Sequence, residues 1–241
     1  IVVQGSHQFQ AKVNLHDDTT VDVATASTLG FNNQLALGGN TLTQTGDGVL
    51  LINHNIKTGG GGMVNLTNGT LGGGGTINGS LDNSAVVVPG NGPGILTVDG
   101  NYTQSSGGTL EIELASNGGV AGTDQDRLEV TLAASLNGTL NLQLDGGYTP
   151  TIGDSFEGLV NAGTLSGKFA RANNVVIDGR RGIAVTYTDT AVDAQIGLRG
   201  NTDISSGDID VDTGDLTVSI INFTSAGGTG KTWADGDMDG D

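Results

Sequence analysis

Apolar and β-branched residues occur along this chain in short runs that stop at glycine, asparagine or proline. Val49-Leu50-Leu51-Ile52, Val86-Val87-Val88, Ile95-Leu96-Thr97-Val98 and Leu110 to Leu114 each have the length and content of a β-strand. Between them stand turn-forming clusters such as Gly46-Asp47-Gly48 and Pro89-Gly90-Asn91-Gly92. Where the runs are longer, polar and apolar residues alternate: Val13 and Leu15, Val21 and Val23, then Leu140, Leu142 and Leu144 around Asn141 and Gln143. A period of two places one face in a core and the other in water.

None of these strands could hold a core alone. Short strands repeated at regular spacing are stable when each stacks on the next, so the pattern predicts an all-β chain, a β-solenoid whose coils bury their inward side chains on their neighbours. The regular stretch runs from Leu42 to Leu114, and residues 1 to 40 read as plausible first coils. After about residue 115 the spacing loosens into wider capping coils, with Ile183-Ala184-Val185-Thr186-Tyr187 the clearest late strand. A cap is needed because an open solenoid end leaves backbone unpaired. The domain boundary falls at Arg199-Gly200-Asn201: residues 1–199 form the solenoid, and residues 200–241 form an aspartate-rich segment.

Composition sharpens this picture. The 43 glycines in 241 residues have no Gly-X-Y period, which excludes collagen and assigns them to turns. Only 4% of the residues are aromatic, so the core is thin and long. The formal charge of −17, from 26 acidic and 9 basic residues, disfavours nucleic acid and anionic lipid as partners and favours calcium or cationic surfaces. With no cysteine, disulfides and thiolate chemistry are excluded. No run of about 18 apolar residues exists, so no helical membrane span is expected. The chain begins in a strand-like stretch and ends inside a motif, which reads as a piece cut from a longer precursor, its signal peptide lost with the start.

Leu42-Thr43, Gly46-Asp47-Gly48, the strand Val49 to Ile52, Thr58-Gly59-Gly60 and Gly69-Thr70-Leu71 together resemble the autotransporter-associated β-strand repeat. The copy departs from the usual aromatic and Asn-rich link, having His54-Asn55-Ile56-Lys57 instead. The Pro-Gly-x-x-Pro-Gly turn from Pro89 to Gly94, leading into Leu96-Thr97-Val98, belongs to the same likeness. The resemblance implies a right-handed β-helical passenger of a secreted protein, extracellular or at the cell surface.

Past residue 200 the aspartates form a ladder, from Asp203 through Asp208, Asp210 and Asp212 to Asp215. Leu216, Ile220 and Phe223 follow at helical spacing. Such a ladder running into a helix is the arrangement by which a loop wraps calcium in oxygen ligands. It resembles a type I dockerin repeat, and the resemblance implies ligands at Asp208, Asp212 and Asp215 with the carbonyl of Asp210. Ile209 stands at the glycine position and Asp203 lies one residue early, departures that describe a distorted loop. In the terminal Gly236-Asp237-Met238-Asp239-Gly240-Asp241, the same resemblance makes Asp237, Asp239 and Asp241 the first, third and fifth ligands of a second, truncated loop. A cohesin-like protein is the partner this implies.

Candidate catalytic groups are few. Asp124, Asp126 and Arg127, with Glu111, Glu113 and Glu129, are the nearest to the acid clusters of polysaccharide-acting β-helices. Their alternation with Leu110, Ile112, Leu114, Leu128 and Val130 explains them as solvent-facing strand positions, and an enzyme is not expected. His7, His16 and His54 share no metal-like spacing and read as exposed residues. The expectation is a structural protein, a rod or filament subunit that self-associates through its ends. The alternative is an adhesin or display module held by the dockerin-like segment.

Overall fold

The computed structural model describes residues 1–198, apart from 55, 58–61 and 179. Every regular element among them is a β-strand. In chain order these are β1 (Val2–Val3), β2 (Ser6–Phe9), β3 (Val13–Asn14), β4 (Thr19–Val23), β5 (Thr28–Phe31), β6 (Leu35–Ala36), β7 (Thr41–Gln44) and β8 (Val49–Ile52). Then come β9 (Ile56–Lys57), β10 (Met63–Leu66), β11 (Thr70–Gly73), β12 (Thr76–Asn78), β13 (Ser80–Asn83), β14 (Val86–Pro89), β15 (Ile95–Val98) and β16 (Tyr102–Gln104). Longer strands close the series: β17 (Thr109–Leu114), β18 (Arg127–Leu136), β19 (Thr139–Leu144), β20 (Ser155–Gly167), β21 (Arg171–Asn173), β22 (Arg181–Tyr187) and β23 (Ala191–Leu198).

From β1 to β15 one rule governs pairing: each strand lies parallel to the strand three places on, after which β16 pairs with β18 and β17 with β19. An eight-stranded sheet follows, in the order β2-β5-β8-β11-β14-β17-β19-β21. A fifteen-stranded sheet holds the other two sets, joined through β18, which lies beside β15 over Arg127 to Val130 and beside β16 at Ala134 and Ser135. The fold is all-β, as the strand pattern predicted, and its stacked short strands pair in parallel.

Register explains why such short strands suffice. Leu29 stands beside Leu50 and Leu50 beside Leu71, a return every 21 residues. The same column continues through Val87, Leu110 and Leu140, the last step lengthening to 30 residues. All six side chains are buried. A second inward column runs Leu42, Val64, Leu81, Tyr102 and Ala134. Each apolar residue is thus sandwiched between its equivalents above and below, and burial of this kind contributes roughly 1.5–3 kcal/mol per large side chain. Outward positions beside the second column carry Thr43, Asn65, Asp82 and Thr103.

Some inward positions are polar, among them Asn83 and Gln104. Asn83 donates to the Tyr102 hydroxyl at 3.0 Å and to the Thr109 carbonyl at 3.1 Å, while its own oxygen accepts the Ala85 N–H. Gln104 donates to the carbonyls of Asn137 and Thr139 at 2.8 and 3.0 Å. These amides satisfy backbone groups at the stacked turns that the strands leave unpaired. The turns themselves are too tight for a side chain: Gly69 has φ +72°, and a Cβ there would collide with the carbonyl oxygens of Gly46 and Gly48 in the turn beside it.

Past β19 the parallel rule ends. β20 is parallel to β18 on one side and antiparallel to β23 on the other, and β22 pairs antiparallel with β23. β20 slips register between Phe156 and Val160.

Candidate functional site

The seven predicted calcium ligands, Asp208, Asp210, Asp212, Asp215, Asp237, Asp239 and Asp241, lie outside the described residues, as does the helix expected over Leu216 to Phe223. The Thr58-Gly59-Gly60 turn lies outside them too. Among the described residues no three histidine, aspartate or glutamate side chains converge as metal ligands. His7, His16 and His54 are exposed, and the His7 ring reaches the Gln4 carbonyl at 2.8 Å.

The acidic stretch around β17 and β18 is where the strand pattern misleads. Glu111 and Glu129 do face outward, half-buried, and accept hydrogen bonds from Asn141 and Asn161, each at 2.8 Å from the neighbouring strand. Asp126 does not face solvent. It is 1% exposed, and its two oxygens accept the Gly94 and Glu113 N–H groups, both at 2.8 Å. Burial pushes its pKa up to about 7 against the pull of those two donors, and the neighbouring Glu113 and Glu111 add to the rise. The reason is local: Gln125 and Asp126 are both buried because the chain enters β18 from an inserted loop rather than in strand alternation.

That loop, residues 115 to 126, is fastened by carboxylates. Asp124 accepts the Ser116 hydroxyl and the Val120 N–H, which hold its pKa below the ordinary range. Asp154, from the loop before β20, accepts the Asn117 amide, the Thr151 N–H and hydroxyl, and the Tyr148 hydroxyl at 2.5–2.8 Å. Burial raises its pKa, but the donors outweigh it and the net shift is downward. Asp124, Asp126 and Asp154 therefore serve as staples between segments, each saturated by donors.

Arg127 sits differently. At the register slip in β20, Gly158 adopts φ +63°, a β-bulge that turns its backbone groups out of the ladder. The Arg127 Nε donates to the Gly158 carbonyl at 2.8 Å and an Nη to the Glu157 carbonyl at 3.1 Å. From the other side, the Gly158 N–H donates to Asp193 at 2.6 Å. A guanidinium and a carboxylate from two different strands are thus fixed on either side of one glycine. Asp193 escaped the sequence reading because its partner is 35 residues away. The available signal was Gly158 itself, an isolated glycine in the strand pattern Phe156-Glu157-Gly158-Leu159-Val160.

No family model matches the chain, and no curated protein matches it.

Proposed function

We propose that this chain is a secreted bacterial structural protein, a right-handed β-solenoid that serves as a rod or filament subunit at the cell surface or in the extracellular matrix. The observation that carries this reading is the apolar column Leu29, Leu50, Leu71, Val87, Leu110 and Leu140, which passes through six consecutive parallel strands. A stack of that kind spends nearly all its residues on an elongated core. Eight strands at about 4.8 Å extend roughly 34 Å. Right-handed winding is the preferred sense for parallel crossovers.

Self-association through the ends completes the proposal. β1, β2 and β3 each pair on one side only, and Ile1, Val2 and Phe9 are exposed beside them. Unpaired edges with apolar neighbours are the surfaces on which another chain adds strands. The aspartate-rich residues 200–241 supply a calcium-stabilised segment. Electron microscopy of the purified protein in calcium tests the reading: end-to-end rods are expected. A protein that stays monomeric by sedimentation from micromolar to millimolar concentration, with calcium present, ends the filament proposal.

A further inference from the structure

An asparagine followed by glycine is the pair most prone to lose its side-chain amide, because glycine has no Cβ to shield the main-chain nitrogen that attacks it. The chain holds five such pairs: Asn68-Gly69, Asn78-Gly79, Asn91-Gly92, Asn117-Gly118 and Asn137-Gly138. The dipeptide alone ranks them equally, and the fold does not. We propose that Asn91 is a site of spontaneous deamidation, converting to aspartate and isoaspartate while the fold protects the other four.

The reaction needs two freedoms. The glycine nitrogen must swing toward the asparagine Cγ, and the side-chain amide must turn to receive it. Four pairs lack at least one of these. Asn68 donates to Asp47 at 2.5 Å, and Gly69 is wedged at φ +72° against the carbonyls of Gly46 and Gly48. Asn78 ends β12, and Gly79 donates its N–H to the Ile77 carbonyl at 3.1 Å. Asn117 is held by Asp154 at 2.8 Å, and Gly118 abuts the Asp124 carboxylate. Asn137 accepts the Gly138 N–H on its own Oδ1 at 2.8 Å while Gln104 holds its main-chain carbonyl, also at 2.8 Å. The peptide that must rotate there is fixed from the neighbouring coil.

Asn91-Gly92 has both freedoms. The pair forms the tip of the turn between β14 and β15, with Gly90 and Pro93 facing each other across it. Both residues are exposed, and a Cβ at Gly92 would meet no atom within 4 Å. Among the described residues neither the Asn91 amide nor the Gly92 N–H has a hydrogen-bond partner. The bond that commonly closes a four-residue turn is impossible here, because proline at the fourth position has no N–H. The peptide between Asn91 and Gly92 can therefore rotate without breaking a bond. The corner behind it stays fixed, since Gly73 and Gly90 exchange N–H to carbonyl bonds at 2.9 and 3.0 Å.

The step balances with water alone. The deprotonated Gly92 nitrogen attacks the Asn91 Cγ and a C–N bond forms; the Cγ–Nδ2 bond breaks, and ammonia leaves with the proton the nitrogen gave up, closing a five-membered imide. Water opens the imide at one carbonyl to give aspartate and at the other to give isoaspartate. Each event adds one negative charge to the −17 of the chain. Because the nitrogen must first lose its proton, the rate rises with pH.

Peptide mapping of the folded full chain, incubated for weeks at mildly alkaline pH and physiological temperature, tests this beside a sample held in guanidinium chloride. Each conversion adds about 1 Da, and electron-transfer fragmentation separates isoaspartate from aspartate. In the folded chain Asn91 should convert about tenfold faster or more than each of the other four, and in denaturant that preference should disappear. Asn91→Gln should remove the earliest acidic band on isoelectric focusing of the folded chain. The proposal is overturned if another of the five pairs converts as fast as Asn91 in the folded chain, or if Asn91 stays intact there while the denatured sample converts. It is equally overturned if the preference persists in denaturant, or if the Asn91→Gln variant gains the acidic band at the parent's rate.

Discussion

Asp126 is buried with two backbone N–H groups on its oxygens, yet burial and its acidic neighbours raise its pKa to about 7. An unfolded aspartate titrates at about 3.9. Between those two values the folded chain holds a proton that the unfolded chain has released, so stability falls as pH rises from about 4 to about 7. The contribution is complete below the unfolded pKa and gone above the folded one. In Asp126→Asn the side chain no longer titrates, so the stability gap between parent and variant should shift against the parent across that window, by at most about 4 kcal/mol. Urea midpoints measured at several pH values check this; a gap constant from pH 4 to 7 sinks it. Gly69 and Gly146 make a second residue-scale pair. A Cβ at Gly69 meets two carbonyl oxygens in a left-handed backbone conformation, whereas one at Gly146 meets nothing. Gly69→Ala should cost roughly 2–4 kcal/mol, the strain of φ > 0 plus the displaced turn. Gly146→Ala should stay within about 0.5 kcal/mol of the parent. Thermal unfolding of the two variants side by side is the measurement, and equal losses would refute the stacked-turn account.

At the scale of the element, strands of two to four residues persist because the column, not the strand, is the stable unit. Leu50 lies between Leu29 and Leu71 with no exposure, so Leu50→Ala leaves a cavity that neither neighbour can collapse into without breaking register. The expected loss is about 2–5 kcal/mol. Phe9 stacks on Phe31 at the edge but is 43% exposed, so Phe9→Ala should cost clearly less. If chemical denaturation ranks them the other way, the column is not what holds these strands. The same contrast explains what the sequence could tell. Strand type, parallel stacking and inward leucines were legible because a period of two and short runs between glycines encode them locally. The burial of Asp126 was not, because alternation is interrupted by the loop from 115 to 126 and the donors come from β17 and the residue before β15. The antiparallel placement of β23 beside β20 was equally hidden. It depends on pairs 30 to 40 residues apart, and the bulge at Gly158 is only half announced by its glycine.

For the molecule as a whole, the charge of −17 offers two distinct routes to a calcium effect, and they make different predictions. General screening of acidic repulsion depends on ionic strength, so magnesium and sodium chloride at matched ionic strength would act as calcium does. A dockerin-like loop demands six to eight oxygens at 2.3–2.6 Å and a flexible geometry that magnesium does not share. Calcium added to the full chain should therefore raise the far-ultraviolet helical signal where magnesium and sodium do not, and chelation should reverse it. In the proposed reading Asp208, Asp212 and Asp215 belong to their own calcium-binding segment, so the main β-sheet unfolding transition should not move with calcium. Asp208→Asn paired with Asp212→Asn should remove the helical response while leaving the screening response intact. If magnesium matches calcium, or if the double variant responds as the parent does, the aspartates are an acidic surface and the calcium-stabilised segment is withdrawn.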